Sequence, residues 1–358
     1  MRACSDGVPL YPVYALLFAD TGLSTAQVSS LFVIWSVVAF AAEVPSGALA
    51  DAWSRKRLYA LGELLTAAGF LLWILWPSYP GFALGFVLWG LGGSLSSGSL
   101  EALLYDELAA TGNEAGYARI AGRANTLSIL AMLAATLVAG PAWQAGGYAL
   151  VGASSIAVKL LGGVLALRLP ERRAAGGDED SYWALLRAGV QESVTHRRVG
   201  LAVLVAALVP GFTALDEYLP LLSRDKGAST AVVPLLFAAT ALAMAVGSAL
   251  ASRRFPLPAA LTIAAGLVAA GAFLPHWTGM LVIAAAFGLL EYSIVRSETR
   301  LQDLITGPAR STVLSVAGFG GEVFAVVLYA AFAVDLPLAV LFALCAVPLL
   351  VTAAIARR

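Results

Sequence analysis

Charged side chains set inside long apolar runs are the residues of this sequence with chemistry to offer. Glu43, Lys159, Glu291 and Glu322 stand well inside such runs, Asp216 and Glu217 stand nearer the end of another, and Asp20 closes a short one. An ionised group in hydrocarbon costs about 2.5–3.5 kcal/mol, so each needs a partner, a wet cavity or a neutral form. A carboxyl group starved of water favours its protonated form, and the chemistry implied is reversible loading of protons. Glu291 is the first candidate for that role. Glu322, beside Gly320-Gly321, is the second. For Glu43, directly before Val44-Pro45-Ser46-Gly47, a structural hydrogen bond is the simpler expectation, and for Lys159 it is snorkelling or a carboxylate partner. Other chemistries find no support. His196 and His276 lie far apart, Cys4 and Cys345 sit at opposite ends, and no cluster has metal-ligand or disulfide spacing. No nucleophile–base arrangement stands out, and neither metal nor cofactor is expected. The run Gly90-Leu91-Gly92-Gly93-Ser94-Leu95-Ser96-Ser97-Gly98 lacks the Lys-Ser/Thr ending of a phosphate loop. Close helix packing or a bendable helix is its expected role.

The elements that position these groups are membrane spans. Of 358 residues 60% are apolar and 12% charged, with a mean hydropathy of +0.84. A water-exposed surface needs about a quarter charged residues, so lipid is the solvent implied. Apolar runs fall at 8–20, 27–50, 58–77, 80–106, 117–141, 147–169, 199–222, 228–252, 256–274, 277–297, 308–332 and 335–356. The first is too short for the about 20 residues a spanning helix needs, and it reads as a shortened span whose natural start lies upstream. Trp73, Trp76, Trp143 and Trp277, at span ends, read as an interface belt. With the C-terminus inside, every Lys and Arg except Arg224, Lys226 and Lys159 falls on the inner side. That asymmetry is the positive-inside pattern. Formal net charge is zero and no basic patch with interleaved aromatics is present, so no nucleic acid is expected.

The runs divide into an N-terminal group at 1–169 and a C-terminal group at 199–358. The polar stretch 170–198 between them opens with Glu171-Arg172-Arg173 and Gly176-Gly177-Asp178. Within it Trp183, Leu186, Val190 and Val194 share one helical face, which predicts a short amphipathic helix on the membrane surface. The two groups echo each other. Gly47-Ala48-Leu49-Ala50-Asp51 corresponds to Ser248-Ala249-Leu250-Ala251-Ser252, Glu101 and Asp106 to Glu298 and Asp303, and Arg123-Ala124-Asn125-Thr126-Leu127-Ser128 to Arg310-Ser311-Thr312-Val313-Leu314-Ser315. Three echoes in one order predict an internal repeat, the build of transporters that rock about a central site.

Gly47-Ala48-Leu49-Ala50-Asp51-Ala52-Trp53-Ser54-Arg55-Lys56-Arg57 lies between the second and third spans. It resembles the signature loop of the major facilitator superfamily, matching at Gly47, Leu49, Asp51, Arg55 and Lys56. Ala52 stands where the family has Arg, and Ser54 where it has a second Gly. The resemblance implies an all-α membrane protein of two six-helix bundles related by a pseudo-twofold axis. It also implies an inner gate built from Gly47, Asp51, Arg55, Lys56, Arg119, Arg123 and Arg310. There Gly47 allows close helix approach and Asp51 caps the eleventh span around Ala309–Thr312, the region opened by Gly307-Pro308, while pairing with Arg119 or Arg123. With spans one, four, seven and ten lining the cavity, Tyr11, Tyr14, Trp89, Ser94, Ser97, Asp216, Glu291, Tyr292 and Arg296 face the pathway.

Secondary transport by alternating access is the function this resemblance implies, with a small-molecule substrate, protons and the lipid bilayer as partners. A monomer in the cell membrane, C-terminus cytoplasmic, is expected. The absence of a nucleotide loop directs the energy source to a proton gradient. Few cationic groups and many aromatics in the lining fit export of a lipophilic molecule in exchange for protons. Proton-coupled uptake remains open at this point, as does a receptor or scramblase on the same scaffold; a membrane enzyme has no residues to support it.

Overall fold

The computed structural model describes residues 1–97, 99–110, 112, 116–171, 197–305 and 310–357. Among these the regular structure is helical. In chain order the helices are α1 (Arg2–Asp6), α2 (Tyr14–Asp20), α3 (Thr25–Ala52), α4 (Arg55–Leu75), α5 (Tyr79–Ser96), α6 (Ser99–Ala110), α7 (Tyr117–Leu167), α8 (Arg197–Gly211), α9 (Leu219–Asp225), α10 (Val233–Leu250), α11 (Leu257–Phe273), α12 (Gly279–Leu304), α13 (Arg310–Phe332), α14 (Leu338–Leu344) and α15 (Ala346–Ala356). A 3₁₀ segment, Phe212–Tyr218, joins α8 to α9. Eight described segments are long and apolar enough to cross a bilayer, and α11 is a shorter apolar helix. Their outward faces are apolar: Leu75, Leu127, Leu242 and Phe273 are each more than half exposed. Such a surface suits lipid, where backbone polar groups must be satisfied inside the helix itself.

Local chemistry fixes where helices start and stop. Ser24 and Gln27 form a capping box at the start of α3, and Ser54 and Ser78 cap α4 and α5 by accepting from Arg57 N and Gly81 N. Gly146 and Gly147 break α7 into two spans with non-helical backbone. The glycine-rich run fulfils both of its expected roles. Its helix stops at Ser97, where the backbone turns extended (ψ 130°), and a Cβ on Gly92 would lie 2.5 Å from the carbonyl oxygen of Gly62 on α4. Small residues allow this backbone approach between membrane helices.

The first and seventh spans are discontinuous at prolines. Between α1 and α2, Pro9 and Pro12 lack the N–H that helix continuation needs. Between α8 and α9, Pro210 and Pro220 bracket the 3₁₀ turn. The second pieces of both spans, α2 and α9, end alike, which adds a fourth correspondence between the halves. Asp20-Thr21-Gly22-Leu23-Ser24-Thr25-Ala26 matches Asp225-Lys226-Gly227-Ala228-Ser229-Thr230-Ala231. Gly22 and Gly227 adopt φ of +88° and +84°. Leu23 N donates to the Phe18 carbonyl at 3.2 Å and Ala228 N to the Ser223 carbonyl at 3.0 Å. Both are left-handed glycine caps of the Schellman kind. Lys226 does a second job in its copy: its ammonium donates to the carbonyls of Ala272 (2.7 Å) and Leu274 (2.5 Å) at the end of α11. Burial pushes its pKa down while Asp225 pulls it up.

The chain divides into two compact units, Met1–Gly177 with Thr230–Leu235, and Asp178–Ser229 with Leu236–Arg358. The first has an aromatic core in which Phe18, Phe70, Trp73, Phe82 and Phe86 are fully buried. Trp73 is therefore no interface residue: its indole N–H donates to the Phe82 carbonyl at 3.1 Å in that core. A core of the second unit joins Val199, Val203 and Ala206 of α8 to Leu301 of α12 and to Val313 and Ala317 of α13. The predicted amphipathic helix, with Trp183, Leu186, Val190 and Val194, lies outside the described residues.

Candidate functional site

In the second unit the 3₁₀ turn puts two carboxylates, Asp216 and Glu217, within a membrane-length segment, Arg197–Asp225. Both side chains are half-buried. The Asp216 carbonyl accepts from the Leu219 N–H, which closes the 3₁₀ turn. In a regular helix the Asp216 carbonyl would take its bond from residue 220, which is proline. Helix α13 comes close beside this break. A Cβ on Gly320 would lie 2.8 Å from Ala207 Cβ, and Phe324 packs on Phe212 with ring centres 4.8 Å apart. The same helix carries Tyr329 and Glu322, and the charges of Glu217, Asp216 and Glu322 all act on the Tyr329 hydroxyl. Tyr218 stacks against Phe332 at 4.3 Å and lies 6.1 Å from Tyr329. Tyr329 thus lies within electrostatic reach of the two carboxylates at the break and of Glu322 on its own helix. Glu291 is half-buried on α12, where its charged neighbour is Glu298, two turns along the same helix.

The first unit presents a row of stacked rings. Tyr11 lies on Trp89 at 5.4 Å and 12°, and Trp35 lies on Trp89 at 4.9 Å and 28°. These three are half-buried, whereas Phe70 and Phe86 behind them are closed off. Offset parallel rings of this kind contribute about 0.5–1.5 kcal/mol beyond their burial. They also leave flat π-surface for another ring. Trp35 was not among the sequence candidates. Its place in the row depends on α3 packing beside α5, which spacing within one helix does not reveal.

A second group in this unit centres on a buried ion pair. Glu63 of α4 (2% exposed) and Lys159 of α7 (5%) form an ion pair at 3.4 Å. This supplies the carboxylate partner expected for Lys159. Glu63 itself was missing from the candidates, although it lies in an apolar run and invited the same argument as Glu43. Ser5 joins the pair: its hydroxyl donates to Glu63 Oε1 at 2.6 Å and shares a 2.5 Å bond with the Tyr59 hydroxyl. The Ser5 carbonyl would be bonded in a helix by the N–H of residue 9, and Pro9 has none. Lys159 Nζ donates to it instead at 2.8 Å, with the Tyr11 hydroxyl at 3.4 Å.

Several sequence candidates have other roles. Tyr14 is 3% exposed and part of the aromatic core, not a cavity wall. Ser94 is buried and donates to the carbonyls of Ala39 (2.7 Å) and Gly90 (3.0 Å), so it joins α5 to α3. Tyr292 is 4% exposed; its hydroxyl donates within the loop after α10, to the carbonyls of Phe255 (2.7 Å) or Arg253 (3.0 Å), and accepts from Phe255 N. Ser94 and Tyr292 are packing residues because each hydroxyl already has a backbone partner, and Tyr14 is one because its ring is enclosed in the aromatic core. Ser97 is exposed and donates to Glu43 at 3.1 Å, which gives Glu43 its expected structural bond. Glu322 is exposed and Arg296 half-buried.

At the loop motif, Arg55 pairs with Asp106, Lys56 donates to the Leu169 carbonyl at 3.1 Å, and Glu171 accepts from Ser54 Oγ (2.5 Å) and Arg55 N (2.6 Å). The Glu171 carboxylate thus sits at the positive end of α4. Gly47 has nothing within 4 Å of an added Cβ, so close helix approach is not its role here. Arg119 and Arg123 are exposed. The side chains of Asp51, Arg310 and Thr312, and all of Gly307, Pro308 and Ala309, lie outside the described residues, and the expected cap with them.

A family model described as Major Facilitator Superfamily matches residues 3–326. No curated protein matches the sequence. Solved structures share the fold across nearly the full chain. The nucleoside transporter NupG aligns with a TM-score of 0.76 at 14% identity, covering 99% of this chain and 95% of its own. A POT family peptide transporter aligns at 0.73 and 13% identity, covering 100% and 95%. A bacterial homolog of the human lysosomal transporter Spinster aligns at 0.68 and 17% identity, covering 99% and 93%.

Proposed function

Because the chain belongs to the major facilitator superfamily, the protein is a secondary membrane transporter rather than an enzyme, and we propose that it exports a lipophilic, ring-bearing small molecule in exchange for protons. The observation that carries this reading is the placement of Asp216 and Glu217 in the break of a membrane-length segment. A carboxylate held there has a large cost in its charged form, and protonation removes that cost. Each proton taken up or released therefore changes which conformation is favourable. Export follows when protonation of the pair accompanies loss of substrate, and deprotonation accompanies its binding. Tyr329, within electrostatic reach of the pair and of Glu322, extends the route a proton can take; Glu291 is a separate carboxylate on α12. Broken spans at ion and substrate sites are the general pattern of secondary transporters.

The substrate class rests on the stacked row. Tyr11, Trp89 and Trp35 offer flat, weakly polar surface that favours rings over sugars or peptides. The asymmetry of Lys and Arg supports a cell-membrane orientation with the C-terminus in the cytoplasm. Accumulation of a panel of lipophilic ring compounds in expressing cells, with and without an uncoupler, tests the proposal. Lower accumulation that disappears with uncoupler and in Asp216→Asn is the expected outcome. Higher accumulation would reverse the direction to uptake. A native effect that survives both uncoupler and Asp216→Asn would remove proton coupling.

A further inference from the structure

The buried group around Lys159 has the composition of a cation site with its cation attached to the chain. We propose that Glu63 and the Ser5 carbonyl form a monovalent-cation site in the first unit, filled by the Lys159 ammonium, so that the first half of the discontinuous first span is held without a dissolved ion.

The ligands are oxygens of the kind that bind sodium: a carboxylate, and a backbone carbonyl freed from its helix by a proline. Unwound carbonyls of broken membrane helices supply cation ligands in general. Lys159 Nζ lies 2.8 Å from the Ser5 carbonyl and 3.4 Å from Glu63 Oε2. The Ser5 hydroxyl, itself bonded to the Tyr59 hydroxyl, stands behind and fixes the other carboxylate oxygen. Glu63 Oε2 is buried and takes no hydrogen bond. A strong donor network would have satisfied both oxygens; here one oxygen faces a positive charge alone, as a metal-ion ligand does. Glycine keeps space beside it. A Cβ on Gly162 would lie 3.4 Å from Glu63 Oε2 and 3.1 Å from Cys4 Cβ. Lys159 is also too deep to reach water by snorkelling, since Leu167 is about 12 Å further along the helix. Its charge belongs to the site.

Removing the ammonium should open the site to a free ion. Purified Lys159→Ala protein is to be melted in sodium chloride and in choline chloride of equal ionic strength, beside the native chain and Glu63→Gln/Lys159→Ala. The expected result is a Tm of Lys159→Ala that falls in choline and recovers in sodium, while the native and double-variant proteins melt alike in both salts. Equal melting of Lys159→Ala in the two salts would overturn the proposal. So would a sodium effect of the same size in the native chain or in the double variant. If Lys159→Ala yields no folded protein, Lys159→Ser, which returns one oxygen to the gap, goes through the same two salts and the same outcomes decide. The readout is melting, so failure of the export reading leaves this result unaffected.

Discussion

Single residues carry opposite costs in the two units. Glu63 and Lys159 offset each other's charge inside the first unit, with Ser5 completing the contact. Removing one member of a buried pair leaves the other uncompensated, at a cost of about 3–5 kcal/mol, whereas removing both can be nearly neutral. Glu63→Gln is therefore expected to lower stability by about that amount, and Glu63→Gln/Lys159→Met by less than the sum of the singles. Thermal unfolding of the four proteins measures the coupling. Trp89 and Trp73 make a second contrast. Trp73 is fully buried with its indole N–H bonded, so Trp73→Leu should lower Tm strongly. Trp89 is half-buried in the stacked row, so Trp89→Leu should raise KM for ring-bearing substrates and lower Tm less. The charged residues were legible in the sequence because apolar runs make them conspicuous. What bonds to each was not. Tyr292 shares a helix with Glu291, yet its hydroxyl partners are at Arg253 and Phe255, on a different element.

At the scale of elements, helices meet where glycine removes the side chain. A Cβ on Gly247 of α10 would fall 1.8 Å from the Gly288 carbonyl oxygen of α12. Gly247→Ala must then push the helices apart, an overpacking cost of about 1–3 kcal/mol. Gly93→Ala meets nothing within 4 Å and should be tolerated. Comparing the Tm of these two variants separates helix contact from general loss of glycine. The matched caps make another test. Alanine at Gly22 or Gly227 is expected to cost about 1–2 kcal/mol for the left-handed backbone, and melting checks both copies. Span positions were legible from run length, and the pause in α5 at Ser97 from its glycines. The breaks in the first and seventh spans were harder to see, because Pro9, Pro12, Pro210 and Pro220 leave the segments just as apolar. Their evidence lay in missing N–H groups rather than in hydropathy. The Asp20 and Asp225 loops were readable as a repeat throughout, being identical at the Asp, Gly, Ser, Thr and Ala positions.

For the whole molecule, composition sufficed to identify lipid as the solvent, and the loop after α3 sufficed to indicate the family. Substrate and direction depend on side chains that distant elements bring together, such as Tyr11, Trp35 and Trp89, and no spacing along the chain encodes that meeting. The central claim is that substrate leaves as protons enter through the carboxylates at the break of the seventh span. Its most direct test is proton flux in proteoliposomes holding purified protein and a pH-sensitive dye, with a ring-bearing lipophilic compound added on one side. Substrate-dependent proton movement in the opposite direction, absent in Asp216→Asn/Glu217→Gln, is the predicted result. Substrate movement without proton movement, or proton movement unchanged in that double variant, would contradict it.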